Sequence, residues 1–357
     1  MKLLVVSLRT TGLMKEMFEE YCRTWSKMAD LYCITNDNVS DKSLNAKKVL
    51  HLRFKRKEPW TYFSVSKIFQ AKQFIKEVFP DMVLFFTPHP DNIFLIKYAS
   101  KFHVSAHIHN PLPHSGTGFF EKLISKCQKQ LYFKYSDIIF VAGESLKNDL
   151  INHFSIPGEK VHSVKFAALS NLVTDGTDID VCENIDVIFF GRIEYYKGID
   201  ILIDATNYTK HHLSVVIVGK GKPYFDINNA NAKVTFFNEY VEDSKLAELI
   251  RKSKLVVMPY RDATGTSTVI QAFLFRKPVI ASDAGVFPEY IGKGGMVFRC
   301  NDSEKLANAI DYLLDNDKVR KKMGEIGFKS VGSEFNIEKN CGEYIKCFEK
   351  IIDKYNK

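Results

Sequence analysis

The 357-residue sequence has no run near the roughly 18 apolar residues that a membrane-crossing helix needs. The apolar LLVVS after Met1-Lys2 is too short for a signal peptide and reads as a first strand, so a soluble, cytoplasmic protein is expected. Cysteine is scarce and odd in number: the seven stand at 22, 33, 127, 182, 300, 341 and 347, with no C-x-x-C pair. Neither a disulfide framework nor a zinc ribbon fits that scatter, and reduced thiols are expected. Low-complexity tracts and short repeats are missing too.

Positive charge is present and unevenly spread. Residues 1–170 hold 24 Lys and Arg against 15 Asp and Glu, whereas residues 171–357 hold 26 against 27. Only the first half is biased towards anions. One dense patch, HLRFKRKEPWTYF (51–63), sets Arg53, Lys55, Arg56 and Lys57 among Phe54, Trp60, Tyr62 and Phe63. A second, residues 118–135, spaces Lys122, Lys126 and Lys129 at helical intervals beside apolar residues. Aromatic rings among basic residues suit an anionic membrane surface, and an ordinary solvated basic face is the alternative.

Short β-branched runs alternate with helical patterns along the whole chain, which predicts βαβ units and parallel sheets. The polar, acidic stretch 171–184 interrupts the alternation, which then restarts at DVIFF. The expected organisation is therefore α/β: a Rossmann-like domain over 1–170, a linker over 171–184, a second Rossmann-like domain over 185–335 and a terminal amphipathic helix over 336–357. Ligand is expected at strand carboxyl ends, facing an interdomain cleft.

Two loops in the second half carry the chemistry, each following an apolar strand and opening a helix. In GRIEYYKG (191–198), Arg192 and Lys197 stand five residues apart beside Gly191 and Gly198. Cations there oppose the helix dipole, which suggests that an anion completes the site. In YRDATGTSTVIQ (260–271), Thr264, Gly265, Thr266, Ser267 and Thr268 bring hydroxyls and N–H groups to a helix start. Gly219 and Gly221 follow an intervening strand. Two such loops with two fixed cations describe a diphosphate cradle. Each piece alone has a simpler reading, as a helix cap or a solvated charge.

The order of these segments, from Asp186 to about Tyr312, resembles the retaining GT-B glycosyltransferases of family 4, also called glycosyl transferases group 1. The carrying stretches are GRIEYYKGID, VIVGKG, RKPVIASDAGVFPEYI and GGMVFRCNDSEKLANAI. The resemblance implies that the terminal helix crosses back to the first domain and that the donor is a nucleotide-diphosphate sugar bound without metal or other cofactor. Arg192 and Lys197 would bind and neutralise the departing diphosphate. HNPLPHSG (109–116) looks like the family's H-D-P loop with Asn110 in place of Asp, which makes His109 a candidate to hydrogen-bond the sugar or acceptor. The family's paired acids are changed: the ribose-binding Glu position is Gln271, and the other falls on Ala263, with Asp262 one residue away.

The implied activity is transfer of a sugar to a glycan or polyprenyl-diphosphate-linked saccharide in cell-surface polysaccharide, capsule or O-antigen assembly, at the inner membrane face. The candidate catalytic residues are Arg192, Lys197, His109 and Asp262. Donor contacts are expected from Gly191, Gly219, residues 264–268 and Gln271, and acceptor or membrane contacts from Arg53, Lys55, Arg56, Lys57 and Trp60. His107, His109, His89 and His114 prompt consideration of a metal, but no acidic third ligand is placed by spacing, and none is assigned. A non-catalytic GT-B subunit is the main alternative. An epimerase acting on the same donor fits the second-domain motifs less well, and charge alone does not support nucleic-acid binding.

Overall fold

The structure is a computed structural model that describes residues 1–10, 12–53, 65–112, 119–169 and 182–355. The chain forms two compact units, one built from residues up to 165 together with 337–355 and the other from residues 166–336.

In the first unit, β1 (Lys2–Ser7), α1 (Leu13–Trp25), β2 (Asp30–Thr35), α2 (Asp41–Leu44), β3 (Lys48–His51), α3 (Val65–Val78) and β4 (Met82–Phe85) follow one another. Then come α4 (Asn92–Ala99), β5 (His103–His107), α5 (Phe119–Tyr135), β6 (Ile138–Val141), α6 (Glu144–Phe154) and β7 (Val161–Ser163). The seven strands form one sheet in the order β3-β2-β1-β4-β5-β6-β7, with every pairing parallel. Leu3, Leu4, Val5 and Val6 are wholly buried, as expected of a parallel strand covered on both faces.

The second unit holds β8 (Ile185–Phe190), α7 (Ile199–Ala205), β9 (Leu213–Val218), β10 (Ala232–Phe237), α8 (Asp243–Lys252) and β11 (Ser253–Met258). It continues through α9 (Thr268–Leu274), β12 (Val279–Ser282), α10 (Phe287–Ile291), β13 (Gly295–Phe298), α11 (Ser303–Asp315) and α12 (Asp317–Ser333). Its six parallel strands run β10-β9-β8-β11-β12-β13. The chain winds outward from β8 on one side and then resumes at β11 on the other. Ligands of open α/β sheets bind at such a reversal, outside the strands' carboxyl ends.

The last helix, α13 (Ile337–Tyr355), belongs to the first unit although it follows the second in sequence. Its buried Cys341, Tyr344, Ile345 and Phe348 recur at helical spacing. Trp25 Nε1 donates to Cys341 O at 3.3 Å, and the Tyr344 ring meets Trp25 edge-on at 5.4 Å. The end of the polar 171–184 stretch is also tied down. Glu183 accepts from Lys277 Nζ at 2.5 Å and from Arg320 Nη1 at 2.8 Å. Burial works against its charge, but those two bonds outweigh it and hold the Glu183 carboxyl below its ordinary range. No helix among the described residues is long and apolar enough to cross a membrane.

Candidate active site

The loop that leaves β8 is fixed by close backbone packing on both sides. A Cβ on Gly219, which sits at φ +156°, would lie 1.7 Å from Gly191 O. Gly198 has φ +64°, and a Cβ there would lie 1.9 Å from Pro259 O. Only glycine satisfies both demands at these positions. The loops after β8, β9 and β11 thereby meet at the reversal point of the sheet.

Lys197 ends the short turn Tyr195–Lys197 that precedes α7. Its side chain is directed inward, and the residue is only 9% exposed. Nζ stands 3.9 Å from the Tyr260 ring centroid, 5.1 Å from that of Tyr196, and 3.8 Å from where a Cβ on Gly191 would be. Burial pushes the Lys197 pKa below the usual lysine value; Tyr196 opposes that shift and the Arg192 charge adds to it. Glu194 favours the ammonium least among these groups and is itself paired with Arg192 Nη1 at 2.7 Å. Arg192 is 70% exposed and reaches Tyr196 Oη at 3.4 Å. A buried cation facing mainly aromatic rings is relieved by an incoming anion.

Opposite it runs the loop from β11 to α9. Thr266 Oγ1 accepts from Thr268 N at 3.2 Å and so takes the capping role, whereas the Ser267 side chain makes no cap bond. Thr264, Gly265, Thr266 and Ser267 are half-buried, and Gln271 stands one turn into α9, its N–H donating to Ser267 O at 2.8 Å. Ala263 is buried, its carbonyl packed against Gly285, whereas the neighbouring Asp262 is partly exposed. Of these two positions, Asp262 presents the acidic side chain and the access. Two residues that the motifs do not single out, Arg261 and Asp200, form a forked ion pair joining this loop to α7. They lie 61 positions apart, so no local pattern reveals them.

His109 lies in the first unit, just beyond β5. Its Nε2 donates to Phe86 O at 2.9 Å, and its ring stacks on His107 at 4.4 Å between centroids. Desolvation lowers its pKa to about 4 against the opposing bond to Phe86, so at neutral pH it is an uncharged ring carrying its proton on Nε2. His107 meets Tyr344 Oη through Nδ1 at 2.7 Å. Among the described residues no group of three or more His, Cys, Asp or Glu is placed to hold a metal, and His114 lies outside them.

The basic patches look different in three dimensions. Arg53 is exposed and donates through Nε to Asp37 Oδ2 at 2.5 Å; Lys55, Arg56, Lys57 and Trp60 lie outside the described residues. On α5, Lys126 is exposed, but Lys129 is buried and donates through Nζ to Pro111 O at 2.8 Å. Lys129 is therefore not part of a solvent-facing basic stripe. Helical spacing gave its direction only to within a broad face, and the carbonyl that recruits it lies 18 residues back.

Residues 182–330 match the family Glycosyl transferases group 1. This segment is a group 1 glycosyl transferase domain. The matched residues span β8 to most of α12 and include Arg192, Lys197, Asp262 and Gln271. An uncharacterized glycosyltransferase of Methanocaldococcus jannaschii is 24% identical over 251 residues, 66% of this chain and 63% of its own length. The O-antigen chain mannosyltransferase C of Escherichia coli is 25% identical over 175 residues, 46% of this chain and 47% of its own. The chain spans between 47 and 63% of the length of such curated relatives. Anabaena HepE, solved in complex with UDP, superposes with a TM-score of 0.75 at 16% identity, covering 98% of this chain and 100% of that one. Two Rossmann-like, all-parallel units in this order give the GT-B fold around the group 1 domain.

Proposed function

We propose that the chain is a retaining glycosyltransferase that takes a sugar from a nucleotide diphosphate and passes it to a glycan or lipid-linked saccharide in cell-surface polysaccharide assembly. The observation that carries this is Lys197: a buried ammonium over Gly191, at the sheet reversal of a group 1 domain, with Arg192 beside it. As the bond between the sugar and the diphosphate breaks, negative charge grows on the leaving phosphate. Two cations fixed beforehand stabilise that charge without reorganisation, which is the main demand of such a transfer. The same phosphate then accepts the acceptor's proton on the face it leaves, so the anomeric configuration is kept. Arg192 and Lys197 supply the charge that a metal would otherwise bring, and activity is expected to survive EDTA.

Asp262 is assigned to the transferred sugar, Gln271 and the 264–268 loop to the nucleotide, and neutral His109 to a hydroxyl of the sugar or acceptor. The relative named as an O-antigen chain mannosyltransferase supports a saccharide acceptor. Mass spectrometry of products from a panel of UDP-, GDP- and ADP-sugars tests the reading. Donor turnover that disappears in Arg192→Ala upholds it. A second reading, a binding subunit without turnover, draws on Gln271 and Ala263 standing where the resemblance expects acids, and intact donor in every reaction would favour it. Peripheral membrane contact rests on exposed Lys126 and on Arg53. Flotation with anionic but not neutral liposomes is the expected result, and no flotation with either contradicts it.

A further inference from the structure

We infer that Arg261 is a positioning residue for the diphosphate site, acting through its pair with Asp200 to hold the turn that carries Lys197. The inference rests on the proposed role of Lys197. Arg261 leaves the loop after β11 and directs its backbone N–H and its guanidinium at the 195–200 segment, while its carbonyl accepts from Cys300 Sγ at 3.7 Å. Its backbone N–H donates to Tyr196 O at 2.7 Å, and Nη1 donates to Tyr195 O at 3.0 Å. Nη1 and Nη2 bind the two carboxylate oxygens of Asp200 at 2.8 and 2.6 Å. The guanidinium also lies 4.2 Å from the Tyr195 ring centroid. Its side chain is 17% exposed and that of Asp200 32%, so the fork is partly shielded from competing water and salt.

Bonds to both Tyr195 O and Tyr196 O fix the two carbonyls immediately before Lys197, and Asp200 fixes the helix that follows it. The bond to Tyr196 O comes from the backbone N–H, which any residue other than proline keeps, whereas the planar guanidinium meets Tyr195 O and both Asp200 oxygens at once, and a lysine at 261 cannot. The direction of the Lys197 side chain over Gly191 is thus set from both ends of its turn.

The test is a double-mutant cycle on the full chain, read as the dissociation constant for UDP and for GDP by calorimetry, with uridine and guanosine as controls that lack phosphate. Lys197→Met is expected to weaken the preferred diphosphate about tenfold or more and to leave its nucleoside unchanged. Arg261→Met should show the same selective loss, and adding it to Lys197→Met should cost less than a further twofold, because the two act through one group. Asp200→Asn, which keeps the arginine and the volume, should give a smaller loss of the same kind and serves if Arg261→Met does not fold. Losses that multiply, or an Arg261→Met protein that binds diphosphate normally while Lys197→Met does not, overturn the inference alone. A Lys197→Met protein with unchanged diphosphate affinity overturns both the inference and the reading beneath it.

Discussion

Lys197 and Gly198 were legible as a motif, and their neighbourhood explains why the pair has to be Lys followed by Gly. Gly198 at φ +64° lets the turn close on Pro259 O. Gly198→Ala forces a side chain into left-handed backbone and into that carbonyl, so a loss of at least about 1–2 kcal/mol is expected as a lowered thermal midpoint. An alanine variant with wild-type stability would contradict the described contact. The charge on Lys197 also sets a pH dependence. Burial lowers its folded-state pKa, so the ammonium is lost at a pH below that of an ordinary lysine. Diphosphate affinity should therefore fall as pH rises towards the alkaline range, and binding curves at a series of pH values check the sign. Lys197→Arg, which stays charged, should remove that fall. Arg261 and Asp200 were not legible, because a fork between positions 61 apart is a product of topology and leaves no local pattern.

Strands and helices were read well because parallel strands buried on both faces are nearly continuous apolar runs, bounded by helices whose apolar residues recur at helical spacing. The terminal helix α13 is such a case. Side-chain direction on α5 was not legible, since that helix carries a polar row serving loop carbonyls and hydroxyls. Gln128 Nε2 donates to His89 O at 2.8 Å and to Tyr132 Oη at 2.9 Å, and Asn92 Nδ2 reaches Tyr132 Oη at 2.8 Å and Thr87 O at 2.9 Å. Tyr132→Phe removes the shared acceptor and leaves two buried amide donors short of a partner. A loss of about 1–3 kcal/mol is expected from denaturant unfolding of the first unit. His89, buried beside this row, has its pKa lowered to about 4 by desolvation, with Arg9 and Lys67 adding to the effect. Its folded value lies below its unfolded one, so its contribution to stability is whole above about pH 6.5 and is lost as pH falls towards 4. Melting curves across that window should slope down with acid, and His89→Gln should flatten the slope; an unchanged slope contradicts the assignment.

Across the molecule, a net positive first half and a nearly neutral second half are carried by two units of the same parallel construction. The charge bias alone did not locate the cation that matters most here, which lies in the less basic half and is buried. What located it was the order of strand, glycine loop and hydroxyl-rich loop, matched to a group 1 domain over residues 182–330. Donor base and sugar were not legible, because loop backbones and pocket walls choose them and residue types in a motif do not encode those shapes. The central claim is that these loops form a nucleotide-diphosphate site built around Lys197. The most direct test is a thermal shift of the purified chain against UDP, GDP, ADP and CMP, with Lys197→Met in parallel. A diphosphate at about 100 times Kd should add roughly 2.7 kcal/mol and raise the midpoint, and the rise should vanish in the variant. No shift with any nucleotide, or a shift that Lys197→Met retains in full, would contradict it.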